Sequence, residues 1–397
     1  MKPRFFSIPS ARLADEAWLA RGDGLGGPRV AIVGLGMMGR EHLRVALLLG
    51  RMQIQGVYDE HDASLRRAAR EYQQVAQKPL AIYSSLEALC ADESVDAYLI
   101  ATPNFTHSAI FERLMITGKP IFLEKPMATS LIDAQRMVTL AQAYPSFVQL
   151  GMQYRFKAQY IEAFHAIRVQ KALGTVRTVA MSEYRPPFLN KVGEWNKFNR
   201  YSGGTLVEKC CHYFDLMNLA VDGVPTKVYA QGGRAVNFLD FEYEGLSSDI
   251  DDHAFVTVNY DNGTLAQFTL NMFSQELYEE LVVTGERGRL VASESSSFRS
   301  GVGSSAKIQV EVAAHPTYGG TAVTYPKAIE SSGHSGATFF EHVAFMAQLE
   351  GDIVDAATPA EGFKSLLVAS AAQRSLATGK VVLMDEFCAQ EQVSWPC

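Results

Sequence analysis

The sequence predicts an α/β chain in two parts: a doubly wound parallel sheet, then an α+β domain with a large, mainly antiparallel sheet. Three observations predict it. Short apolar runs alternate with helix-spaced stretches up to about residue 151. Period-two strands joined by glycine turns dominate the second half. A Gly-x-Gly-x-x-Gly turn, Gly34 to Gly39, stands where the first strand meets the first helix.

Taken in order, Val30 to Val33 is an apolar run closed by Gly34, the pattern of a strand buried on both faces. Glu41 to Leu49 has apolar residues at helical spacing, and Gln53 to Tyr58 reads as the second strand. A charged helix covers Ala63 to Val75, with Arg66 and Arg67 on its solvated face, and Leu86 to Ala91 forms a short one. Ala97 to Ala101 is a strand, followed by a helix from about Ser108 to Thr117 that stops at Gly118. Pro120 to Leu123 is the next strand, Ile132 to Ala143 a helix, and Phe147 to Leu150 closes the sheet.

In the second half a helix is expected from Ala158 to Leu173, then strands at Val176 to Glu183 and Lys227 to Gln231. His253 to Tyr260 and Leu265 to Asn271 flank Asp261-Asn262-Gly263, a hairpin signal. Glu280 to Thr284 and Arg289 to Ala292 flank a turn at Gly285 to Gly288. Thr358-Pro359 with Glu361 opens a helix to about Leu376, ending near Gly379. Small-residue loops fall at Gly301 to Ser305 and Ser331 to Gly336. The expected division is an N-terminal extension (1–28), a first domain (29–151) and a second (152–397).

Composition excludes several classes. The 397 residues carry a net charge of -7 with no basic block, a poor match to a nucleic-acid backbone. No stretch reaches the roughly eighteen apolar residues of a membrane span. Met1 to Gly27 is charged and lacks a continuous apolar core, so no secretory signal is expected. Five scattered cysteines without a C-x-x-C fit reduced thiols in a cytoplasm rather than a disulfide framework or a metal site.

The strand-turn-helix context turns the glycine motif into a dinucleotide-binding Rossmann signature. Gly34 permits the tight turn, Gly36 lets a pyrophosphate approach the backbone, and Gly39 allows close helix-to-strand packing. The helix opening at Met37 and Met38 supplies amide donors and the positive end of its dipole. Asp59 lies twenty residues past Gly39 at the end of the second strand, where an acid meets the adenosine ribose. A carboxylate there favours free ribose hydroxyls and repels a 2′-phosphate, so NAD is expected before NADP. Thr102, Pro103, Asn104 and His107 follow the third strand and border the cofactor crevice. Asn104 and His107 serve equally well as caps of the helix that starts there.

The fourth strand ends in Glu124-Lys125-Pro126. With the glycine turn and Thr102-Pro103-Asn104-x-x-His107, this resembles the glucose–fructose oxidoreductase/inositol dehydrogenase family, Gfo/Idh/MocA, from Arg29 to Met384. The resemblance implies that Lys125 sits beside the nicotinamide and the reacting carbon, while Glu124 and Pro126 hold the turn and the cofactor. It also implies a second motif, matched here by Gly203-Gly204-Thr205 through Glu208 to His212 and Asp215. The family usually has Asp where this chain has Glu208.

Spacing places Glu208, His212 and Asp215 on one helical face. An imidazole suits proton abstraction from an alcohol near neutral pH, so His212 is the expected general base. Lys125 is expected to stabilise developing oxyanion charge, and Glu208 to fix His212 or Lys125 or bind an adjacent hydroxyl. Asp215, Tyr154, Arg155, Trp195 and His334 are expected substrate-side residues. For Arg155 an interdomain ion pair is the competing role, for Trp195 a loop anchor, and for Glu208 with His212 an ordinary surface pair.

The expected activity is an NAD-dependent dehydrogenase acting on a secondary alcohol of a sugar, inositol or sugar derivative. The rivals are a redox-neutral glycosidase or lyase working through a transient keto-sugar, and a non-catalytic dinucleotide-binding regulator. The expected partner is a second copy of the chain, as a homodimer or homotetramer.

Overall fold

The structure, a computed structural model, describes residues 27–297, 304–312, 315–316 and 320–396. The extension through residue 26 and the loop at Gly301 to Gly303 fall outside them.

The first five strands form a parallel sheet: β1 (Arg29–Val33), β2 (Gln53–Tyr58), β3 (Ala97–Ile100), β4 (Ile121–Glu124) and β5 (Val148–Gly151). Their spatial order is β2-β1-β3-β4-β5, so the chain reverses direction across the sheet between β1 and β3. That topological switch is where a crevice opens beyond the strands' carboxyl ends. The helices between them are α1 (Met37–Leu49), α2 (Asp62–Ala76), α3 (Leu86–Ala91), α4 (His107–Met115) and α5 (Leu131–Gln142). Side-chain caps start α2 at His61, α3 at Ser85 and α5 at Ser130, so three of these boundaries are written locally.

Alternate residues of β1 enter different cores. Ala31 and Val33 pack with α3, α4 and α5. Val30 and Ile32 pack with α1 and with a helix from the far end of the chain, Ala337–Leu349. The second half therefore supplies part of the first sheet's cover.

Its own elements begin with α6 (Ala158–Phe164). A helix to Leu173 was the sequence expectation. The α-helix instead passes at His165 into a π-type turn ending at Val169, where the Gln170 amide bonds the His165 carbonyl. The chain then reverses through Gly174 at φ +69°. A ten-stranded sheet follows, built on β6 (Val176–Tyr184), β7 (Pro225–Gly233), β8 (His253–Tyr260), β9 (Leu265–Asn271), β10 (Leu277–Gly285), β11 (Gly288–Ser296) and β12 (Ser305–Val312). Their order is β12-β11-β10-β6-β9-β8-β7, with β6 and β9 parallel and the other neighbours antiparallel. Both expected turns, at Gly263 and at Gly285 to Gly288, close hairpins.

One face of this sheet packs under α7 (Cys211–Ala220) and α9 (Pro359–Thr378). A capping box at Thr358 and Glu361 starts α9, and Gly379 at φ +67° ends it, as its sequence implied. Between them α8 (Ala337–Leu349) lies against α1. The opposite sheet face carries exposed Phe255, Leu265, Tyr184 and Tyr278.

Candidate active site

The three glycines of the turn meet three different constraints. A side chain on Gly34, at φ +90°, would lie 2.7 Å from the Ala101 carbonyl of the neighbouring loop. One on Gly39 would lie 1.8 Å from the Gly34 carbonyl oxygen, so α1 presses directly on the strand end. Gly36 has nothing within 4 Å of that position. Its open side faces the amino end of α1, whose first turn holds no acid to neutralise the dipole. Met37 is exposed at that end and Met38 packs towards the core. Asp59 sits beside the turn, accepting from the Leu35 amide at 2.5 Å and the His61 amide at 2.7 Å. One bond to each oxygen leaves a carboxylate lone pairs for a further donor. Arg66 and Arg67 project into solvent, as expected.

The loops after β3 and β4 are tied to each other. His107 is buried with Nδ1 2.8 Å from the Pro126 carbonyl and Nε2 2.9 Å from the Thr102 carbonyl. Burial pulls its imidazole below the ordinary value, against the two carbonyls, which favour the protonated ring. No side chain caps α4; Asn104 is buried, its amide at 3.5 Å from the Ser202 carbonyl, and Pro103 starts the turn. His107 and Asn104 thus lock loops rather than cap the helix.

Glu124 also acts through the protein. Its carboxylate accepts from His42 of α1 at 2.7 Å and from the Lys125 amide at 3.0 Å. His42 in turn lies 2.8 Å from His342 of α8. This buried chain pins the start of the Lys125 turn to the helix that follows the glycine motif.

The spacing that puts Glu208, His212 and Asp215 on one helical face assumes an unbroken helix, and the structure corrects it. One turn, Thr205–Glu208, is separated from α7 by Lys209 and Cys210. The break releases the Glu208 carbonyl, which accepts from Lys125 Nζ at 2.9 Å. The Glu208 side chain takes Lys191 Nζ instead, at 2.8 Å. Burial would raise the Glu208 carboxyl, but Lys191 and Lys125 hold it well below the usual carboxylate range. Burial disfavours the Lys125 ammonium, yet Glu208 leads a set of neighbours that keep it above its ordinary value. His212 moves the other way: burial, then Lys125, Lys209, His334 and Lys157, push its imidazole well below the ordinary value. Its Nδ1 is buried with no partner among the described residues. The site thus holds a charged Lys125, a charged Glu208 and a neutral His212.

Of the other expected residues, Tyr154 stacks on His212 with ring centroids 4.1 Å apart, and its hydroxyl accepts from Lys209 at 2.6 Å. His334 lies 6.4 Å from the Tyr154 ring centroid and bonds Glu41 of α1 at 2.7 Å, bridging the two halves. Arg155 and Asp215 do not present free charges. They form a buried two-point ion pair at 2.6 and 2.7 Å, and Arg155 reaches Glu361 at 3.3 Å. Arg155 does form an ion pair, but within the second expected domain (152–397) rather than between domains, and that pair removes Asp215 as a free hydroxyl ligand. Trp195 is 9 % exposed with Lys191 Nζ 4.3 Å from its ring, so that ring face is already covered.

Sequence reasoning missed Lys191, Lys209, His42 and Glu41. His42, three residues beyond Gly39, was open to a face argument; Lys191 lies in an aperiodic segment that offered none. Among the described residues no group of three or more His, Cys, Asp or Glu side chains has a metal-binding arrangement.

Two family models match the chain. Residues 28–152 match the NAD-binding Rossmann domain of the Gfo/Idh/MocA oxidoreductase family, and residues 168–384 match its C-terminal α/β domain. A myo-inositol 2-dehydrogenase of Thermotoga maritima is 24% identical over 267 residues, 66% of this chain and 75% of that protein's length. A levoglucosan dehydrogenase solved with NADH superposes with a TM-score of 0.72 at 17% identity, over 90% of this chain and 99% of that one. A protein of gentamicin A biosynthesis solved with NAD gives 0.71 at 21%, over 91% and 98%. At these identities the two structures speak for the fold.

Proposed function

We propose that this chain, which belongs to the Gfo/Idh/MocA oxidoreductase family, is an NAD-dependent dehydrogenase moving hydride between nicotinamide and a secondary alcohol of a sugar, inositol or sugar derivative. The observation that carries this reading is the convergence of Lys125, Glu208 and His212 beyond the carboxyl ends of the parallel strands. The sugar and inositol dehydrogenases among its relatives support the substrate class.

The residues fit a dinucleotide: Gly36 leaves an open cradle before the amino end of α1, and Asp59 stands at the carboxyl end of β2. When bound, the nicotinamide would supply the hydride chemistry. The chain's own residues handle the proton and the oxygen. His212 stays neutral because it is buried among cations, so it is in the form that accepts the alcohol proton. Lys125 keeps its proton and therefore serves as a fixed positive charge at the oxygen, not as the base. Glu208 remains ionised and offers an acceptor to a neighbouring hydroxyl. Tyr154 holds the His212 ring by stacking. Asp59 favours NAD over NADP because its charge opposes a 2′-phosphate.

Two further proposals belong to this reading. The open sheet face with Phe255, Leu265, Tyr184 and Tyr278 suits packing against a second copy, so we expect a homodimer or homotetramer. The described cysteines are all free thiols, which suits a reducing cytoplasm, and no described helix is long and apolar enough to cross a membrane.

The test is an absorbance assay at the reduced-nicotinamide band with NAD or NADP and a panel of sugars, inositols and glycosides. Net reduction with one compound supports the dehydrogenase. Glycoside loss without net reduction would replace it with the redox-neutral reaction.

A further inference from the structure

Lys191 reaches the site from the segment between β6 and the short helix Asn199–Ser202. Gly193 and Glu194 both adopt left-handed backbone, at φ +66° and +51°. This turn folds the segment so that Lys191 lies over Trp195, four residues later, with Nζ 4.3 Å from the ring. The same Nζ is 2.8 Å from Glu208 Oε1, its single hydrogen-bond acceptor among the described residues. The Lys191 side chain is 26% exposed, whereas Glu208 is 5% exposed.

An ammonium has three N–H donors. One goes to Glu208, and the Trp195 ring covers part of the remainder. On the other side, only Oε1 of Glu208 has a protein partner among the described residues. A spare donor and a spare acceptor therefore stand side by side, next to the Glu208 carbonyl that holds Lys125. A hydroxyl is the group that answers both, donating to the carboxylate and accepting from the ammonium. A carboxylate or phosphate at that point would meet the Glu208 charge. A methylene would leave two ionised groups facing it without a hydrogen bond.

We propose that Lys191 is a substrate-binding, specificity-determining residue that, with Glu208, reads a hydroxyl adjacent to the carbon exchanging hydride. This rests on the dehydrogenase reading above. The segment carrying Lys191 and Trp195 is then the wall of the site that selects the substrate.

The experiment uses the full chain with NAD, and myo-inositol and D-glucose each paired with its monodeoxy analogues. Wild type, Lys191→Met and Lys191→Arg are compared, with NADH affinity and thermal midpoint measured for each. For wild type, one deoxy analogue should lose about tenfold or more in kcat/KM against its parent. In K191M the parent's KM should rise about tenfold to a hundredfold, the range of a charge-assisted hydrogen bond. Its kcat should change less than about threefold, NADH affinity should hold, and the parent-to-deoxy ratio should collapse. K191R should recover part of the ratio. A structural ion pair alone would leave the ratio as in wild type, and that result overturns the role of Lys191 while the dehydrogenase stands. If wild type reduces NAD with no compound in the panel, the dehydrogenase reading falls and this inference with it. Should K191M fail to fold, Lys191→Ala, which also removes the donor, carries the same comparison.

Discussion

Adding one methyl group at Gly36 and, separately, at Gly39 should have opposite consequences. At Gly39 the new carbon lies 1.8 Å from the Gly34 carbonyl oxygen and 2.8 Å from its carbon. Both atoms are backbone, so no rotamer change relieves the clash. Helix α1 would have to move by more than about 1 Å against β1, with an overpacking cost of about 1–3 kcal/mol. At Gly36 nothing lies within 4 Å, and φ is -61°, a value any residue adopts. The gain from a less flexible unfolded chain, about 0.4–1 kcal/mol, is offset by alanine's poorer fit at a helix N-cap. Gly36→Ala should therefore leave stability within about 0.5 kcal/mol of wild type. Its methyl group would stand where the pyrophosphate approaches, keeping the amides of α1 from their acceptor. Losing one charge-assisted bond is worth about 2 kcal/mol, or roughly thirtyfold in Kd. Denaturant unfolding and NADH fluorescence titration separate the two effects. Wild-type NADH affinity in Gly36→Ala, or an unchanged unfolding midpoint in Gly39→Ala, would refute the assignment of the glycines.

Asp59→Ala should weaken NAD more than NADP, measured by the ratio of the two affinities; an unchanged ratio removes Asp59 from the ribose. His212→Asn and Lys125→Met should each lower kcat by about 10²–10⁴ while NADH affinity stays within about threefold, as expected for groups acting on the reacting alcohol. The imidazole of His212 is held below its ordinary value, so its neutral form persists as pH falls and the acid limb of kcat/KM should lie below about pH 6.5. A limb above that value would place the base elsewhere. Arg155→Met strands Asp215 as an unpaired buried carboxylate and should cost about 3–5 kcal/mol, partly recovered by adding Asp215→Asn. A loss below about 1 kcal/mol would show that water or another group already satisfies Asp215.

Much of the nucleotide half was legible in the chain because its signals are local. Gly34, Gly36 and Gly39 occupy a turn whose shape is set within six residues, and Thr358 and Glu361 close their capping box within four. Apolar runs such as Val30 to Val33 report burial on two faces directly, because a strand covered on both sides has no polar alternation. Helical spacing was less informative where the backbone ladder is interrupted. Glu208, His212 and Asp215 fit one face of an ideal helix, but the break at Lys209 and Cys210 freed a carbonyl for Lys125 and changed what that spacing meant.

The sequence by itself determined the two sheets, the glycine turn, the acid at the end of β2 and the identity of the Lys125 and His212 candidates. Only the tertiary structure decided who pairs with whom: Lys191 with Glu208, Arg155 with Asp215, His42 with Glu124, and Glu41 with His334. Those partners are 17, 60, 82 and 293 residues apart in the chain. A charge enters a low-dielectric interior only where an opposite charge or a hydrogen-bonding group meets it, and that meeting depends on how the sheets and helices pack. Periodicity reports the face on which a residue sits; the packing of distant elements decides which charges remain free to meet a substrate.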